Sequence, residues 1–134
     1  MHKVVLLLAS AFLAGAAESH HSVPTKFDTS SEYTIRGIIK AIRWVNPHSS
    51  MDIEVTNESG KVKTMRVEMN ALDTIRRFSG KMGFSTDDFV IGDVITIGGW
   101  LGRDQHRLFF RYATLASGKK IVWQSGPDSD LAAP

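Results

Sequence analysis

The hydrophobic period of this chain changes twice, and the change limits the fold more than any other feature. Between Tyr33 and Met69, β-branched and apolar residues alternate with polar ones at the two-residue period of a strand. From Asn70 the spacing becomes helical: Leu72, Ile75, Phe78 and Met82 fall near one face. From Val94 to Trp123 the two-residue period returns. A chain that reads strand, strand, strand, helix, strand, strand is left with few compact arrangements.

The segments can be bounded. "YTIRGIIKAIRWV" (33–45) reads as a long first strand whose apolar positions change phase after Gly37, which predicts a β-bulge. "MDIEVTN" (51–57) and "VKTMRVEM" (62–69) alternate cleanly around the turn "ESGK", where Gly60 suits a positive φ. In the helix, expected over 70–83, Asn70 is the candidate N-cap and Gly83 the candidate left-handed stop. "VITIGGWL" (94–101), "LFFRYATLA" (108–116) and "KIVW" (120–123) complete the strands. The order predicts an OB-fold-like barrel, five-stranded and Greek-key, over 33–123. An open α+β sheet with one covering helix is the alternative.

The ends read differently. Lys3, the apolar run from Val4 to Ala14 and the small residues that follow have the form of a secretory signal peptide, expected over 1–17. The apolar run is too short to span a bilayer, so no transmembrane segment is expected in the mature chain. The expected location is periplasmic or secreted. Residues 18–32 read as an extended N-terminal arm and 124–134 as a flexible tail. With no cysteine, disulfides, thiolate catalysis and thiolate metal sites are excluded. A formal charge of +2 gives no basic stripe, so no nucleic-acid partner is expected.

Four stretches, "HHSVPTKFD", "WVNPHSSMDIEV", "GDVITIGGW" and "ATLASGKKI", resemble a family of short exported bacterial proteins classed as a domain of unknown function. Its members carry His-His-Ser near the mature N-terminus and a W-x-N-P-H segment after the first strand. The resemblance implies no activity. It does draw attention to His20, His21, Trp44, Asn46, Pro47 and His48.

In an OB-like barrel, Asn46-Pro47 would form the turn between the first two strands, at the rim of the usual binding surface. Two readings of His48 follow. It is a turn residue tied to a backbone carbonyl, or it is a metal ligand together with His20, His21 and Met51. Imidazole and thioether together suit copper. Met51, Met65 and Met69 also sit at core-facing parity, where methionine fills irregular space. If the signal is cut after Ala17, Glu18-Ser19-His20 would form a square-planar N-terminal Cu(II) or Ni(II) site. Arg43, Trp44, Asn46, Pro47 and Trp100 are candidates for a binding surface for a peptide, glycan or partner protein. No nucleophile elbow, carboxylate pair or phosphate loop is legible, which points away from an enzyme.

Overall fold

The computed structural model describes residues 22–123. The expected signal peptide, His20, His21 and the expected tail lie outside the described residues. The elements are α1 (Ser22–Lys26), β1 (Tyr33–Arg43), β2 (Ser50–Thr56), β3 (Val62–Glu68), α2 (Leu72–Phe78), a 3-10 turn (Thr86–Asp88), β4 (Val94–Leu101), β5 (Arg107–Thr114) and β6 (Lys120–Val122). The strands form one sheet in the order β3-β2-β1-β4-β5-β6, and β3 also pairs with β5. That last pairing is parallel and closes β1 to β5 into a ring, with α2 between the third and fourth strands. This is the OB-type Greek-key barrel. β6 extends the sheet beyond β5 at Tyr112–Thr114.

Closure follows from how β1 is shared. Its N-terminal half, Tyr33 to Ile38, pairs with β4, and its C-terminal half, Ile38 to Arg43, pairs with β2. Inward positions Ile35, Ile39, Met51, Ile53, Met65 and Ile97 are buried and form the core. Burying such a side chain contributes about 1.5–3 kcal/mol each. The bulge expected after Gly37 lies between Ile39 and Ala41 and leaves Lys40 unopposed. Gly37 has another role. A Cβ there would stand 2.2 Å from the Glu54 carbonyl oxygen, so the glycine permits close approach of β2.

The arm expected to be extended is, over its described part, a short helix docked on the barrel. Val23 and Phe27 are four residues apart, which puts both on one face of a helical turn. They pack with Trp100 and Phe109 in a second apolar cluster on the outside of β4 and β5. The Phe27 and Phe109 rings meet edge to face at 5.5 Å. Main-chain bonds from Asp28 N to Leu101 O and from Arg103 N to Lys26 O, both 2.9 Å, fasten the arm.

α2 is shorter than its apolar spacing implies. Its N-cap is Ala71, whose side chain offers no acceptor, rather than Asn70. Asn70 belongs instead to the strand connection, where its carbonyl accepts from Ser49 N at 3.1 Å. Gly83 does adopt a positive φ of 73°, five residues after the helix has ended at Phe78. Ile75 and Phe78 are buried, and Met82 packs against the core from the turns that follow. No helix among the described residues is long and apolar enough to cross a membrane.

Candidate functional site

The β1–β2 connection, residues 44–49, holds most of the sequence-derived candidates, and its hydrogen bonds give the segment a structural purpose. Val45 O accepts from Leu72 N at 3.1 Å. Asn46 Oδ1 accepts from Asp73 N at 3.1 Å, and Asn46 Nδ2 donates to Asp73 Oδ2 at 2.8 Å. Asn46 therefore supplies from a distant loop the cap that Ala71 lacks. Buried Ser49 closes the loop, donating from Oγ to Val45 O and accepting from Val45 N. The Asn46–Pro47 peptide is cis. Trp44 turns inward, its ring meeting Phe89 edge to face at 5.8 Å.

Of the metal candidates, the structure describes His48 and Met51, and it does not bring these two together. Met51 is fully buried in the core, at the parity that faces the barrel interior, and so does not reach the rim beside His48. Met65 and Met69 are buried with it. His48 stands half-buried in the loop, and its Nδ1 is buried with no hydrogen-bond partner among the described residues. No group of three or more His, Asp or Glu side chains among the described residues is arranged to hold a metal ion. The proposed binding-surface aromatics are also divided. Trp100 stacks on Phe109 under the arm, with the Arg111 guanidinium 4.5 Å over its ring, in a different cluster from Trp44.

Arg43 leads to a site that the sequence reading did not assemble. At outward positions of β2 and β3, Asp52 lies opposite Arg66. Arg43 donates through Nη1 and Nη2 to Asp52 Oδ2, each at 3.0 Å, and Arg66 Nε donates to Asp52 Oδ1 at 3.0 Å. Burial raises the Asp52 pKa, but hydrogen bonds from Arg66 and Arg43 outweigh it and hold the carboxyl below its ordinary value. Nearby the arrangement is inverted. Arg107 joins Glu68 Oε1 at 3.0 Å and Asp104 Oδ2 at 2.9 Å. The Arg107 pKa is raised, first by the Glu68 hydrogen bond and then by Asp104. The Asp104 pKa is lowered, first by the His106 amide.

Asp104 and His106 belong to the turn between β4 and β5. It is held by Asp104 Oδ1 accepting from His106 N at 3.0 Å and by Gln105 at a positive φ of 62°. An open groove results, lined by Asp52, Thr64, Arg66, Glu68, Asp104, His106 and Arg107. A second hollow continues it along Lys26, Arg103, Asp104 and Arg107, where the docked arm contributes Lys26. The β2–β3 face beside this turn is where OB-type barrels bind their ligands. The groove residues were visible one strand at a time as charged outward positions. That β5 returns beside β3 was not visible.

The solved structures similar to the chain include two OB-type proteins with low identity. One is a mitochondrial single-stranded DNA binding protein of S. cerevisiae, 11% identical, covering 63% of this chain and 92% of that one, with a TM-score of 0.46. The other is the dimeric N-terminal domain of the PriB protein from Thermoanaerobacter tencongensis, 12% identical, covering 63% and 93%, with a TM-score of 0.41. No curated protein matches the chain. Residues 7–110 match a family of unknown function (DUF6152), and the chain belongs to that family.

Proposed function

We propose that the protein is an exported, non-catalytic binding module whose working surface is the groove along β2, β3 and the β4–β5 turn. The observation that carries this reading is the pair of fixed charge clusters in that groove: two arginines sharing Asp52, and two carboxylates sharing Arg107. Side chains already held in place lose little freedom when a ligand arrives. Binding suits the groove better than catalysis. Asp52 and Asp104 have lowered pKa values and stay ionised at neutral pH, which unfits them as general acids. Thr64 is the one hydroxyl among the lining residues. Among the lining residues His106 carries the one aromatic ring and there is no Phe, Tyr or Trp, so the groove lacks the row of rings on which successive bases stack. A peptide, glycan or partner protein, bound without metal, fits this surface.

Amide NMR shifts measured against a panel of short peptides and neutral oligosaccharides test the reading. Shifts should gather at Asp52, Thr64, Arg66, Glu68, His106 and Arg107, and Arg66→Ala should weaken whichever member binds. Binding that shifts only the 44–49 loop, or that Arg66→Ala and Arg107→Ala leave unchanged, would overturn it.

A second reading is copper held by His48 with His20 and His21. It is favoured by the place of His48, next to the exposed residues Val45, Asn46 and Pro47. Copper calorimetry separates the two. His48→Ala and the His20→Ala/His21→Ala double variant should weaken one shared site non-additively. Unchanged affinity and stoichiometry in His48→Ala would remove His48 from any metal site.

A further inference from the structure

β3 has a bare edge beside the groove. It pairs with β2 along its whole length, from Val62 to Glu68, but with β5 only at Arg66, Val67 and Glu68. One bond sets the direction of its main-chain groups. Arg66 N donates to His106 O at 3.2 Å, so Arg66 turns its amide away from β2. Directions alternate along a strand, so Thr64 and Val62 turn their N–H and C=O groups to the same side. Neither has a strand partner there, and both residues are exposed. β5 begins only at Arg107, and the groove that opens beside this edge is bounded by Thr64, Asp104 and His106.

We propose that this edge accepts an added strand, an extended acidic segment of a partner polypeptide lying beside Val62–Thr64 in the groove. The proposal rests on the reading of the groove as a binding surface and names its occupant. A polypeptide in extended form presents alternating N–H and C=O groups at the spacing the edge needs. Charge decides its sign. Every carboxylate in the groove is already engaged by an arginine. Lys61 and Lys63, next to the edge, have no ion-pair partner among the described residues, and neither has Lys26. A second copy of this chain is a poor occupant, because pairing two such edges would bring both sets of lysines together.

The test uses three capped six-residue peptides: alternating glutamate and valine, its lysine–valine counterpart, and the glutamate peptide with alternate amides N-methylated. The glutamate peptide should bind in calorimetry and slow hydrogen exchange at the Thr64 amide. The other two should bind at least about tenfold more weakly, since N-methylation removes main-chain donors and lysine reverses the charge. Thr64→Pro deletes the outward N–H, which an edge strand tolerates, together with the hydroxyl, and should weaken binding by a similar factor, whereas Thr64→Val, which loses the hydroxyl alone, should not. The exchange measurement on the unaltered protein stands whether or not the proline variant folds. Equal binding of the parent and N-methylated peptides, with loss in Arg66→Ala, would keep the groove as a binding surface and reject strand addition. No binding of the glutamate peptide, beside a positive panel titration, would reject the acidic segment alone. Concentration-dependent dimerisation that Thr64→Pro abolishes would give the edge to a second copy and overturn the proposal.

Discussion

At the scale of single residues, the Trp44-to-His48 motif owes most of its character to α2. Asn46 lies 27 positions from Asp73, yet it accepts that residue's amide and donates to its carboxylate. Asn46→Ala removes both bonds and leaves an orphan donor in the first helical turn. We expect a loss of about 1 kcal/mol, measured as a lower denaturant midpoint with unchanged slope; an unchanged midpoint would show that the cap is dispensable. A short-range search could not find this cap, because the partner is supplied by a different element. Asp52 is a second residue whose role appears only after folding. Its folded pKa is lowered by Arg66 and Arg43 against the opposing effect of burial. The stability it adds is therefore fully present above the unfolded carboxylate pKa of about 3.9. It fades as pH falls from there through the folded value. In parallel denaturation series, the stability gap between the wild type and Asp52→Asn should be widest near neutral pH and close below that range. A gap that stays constant through the acid range would mean the pair does not titrate as described.

At the scale of elements, the strands were legible because alternation reports directly on one buried face. Expected and observed spans agree for β4 at 94–101 and differ by one or two residues at the ends of most other strands. The helix was overextended because its apolar spacing persists through the turns at 79–83, where Met82 still reaches the core without belonging to the helix. The bulge was legible as a change of phase after Gly37, and it falls at Lys40. A glycine in a strand signals either an extra residue or a close approach, and Gly37 serves the second purpose. The adjacent glycines of β4 combine both. The register with β5 shifts between Gly98 and Gly99, and Arg111 takes the unopposed position. A Cβ on Gly99 would stand 1.8 Å from the Phe109 carbonyl oxygen, and the obstacle is backbone that cannot swing aside. Gly99→Ala should therefore destabilise by about 1–3 kcal/mol, as overpacking does. Gly80→Ala, where a Cβ meets nothing within 4 Å, should stay within about 0.5 kcal/mol of the wild type. Equal thermal midpoints for the two variants would contradict the close approach at β4.

At the scale of the whole molecule, the barrel is one apolar unit and the docked arm is a second, smaller one on its outside. The sequence showed the barrel because its pattern repeats over many residues. It concealed the arm because two apolar residues, Val23 and Phe27, are too few to establish a period. It concealed the groove because Asp52, Arg66, Glu68 and Arg107 come together only when β5 returns parallel to β3. The arm and the groove are physically joined. Lys26 O accepts from Arg103 N, and Arg103 Nη2 donates to Pro24 O at 3.2 Å, so the arm braces the turn that forms one wall of the groove. Phe27 is the anchor, almost wholly buried against Phe109. Truncating a buried phenylalanine costs about 3–5 kcal/mol when the loss is felt by the whole domain. Here the two units meet through Trp100 and Phe109 on an outer face, so Phe27→Ala should release the arm before it unfolds the barrel. In hydrogen exchange, the amides of Asp28 and Arg103 should become fast, because their acceptors Leu101 O and Lys26 O are lost with the docking. The amides of Met65 and Val67 in the barrel core should keep most of their protection. Trp100 fluorescence, read in a variant retaining that tryptophan alone, should move to the red as its ring gains water. Uniform loss of protection across all four amides would instead make the arm part of a single cooperative unit, and the barrel would then depend on Phe27 for its own stability.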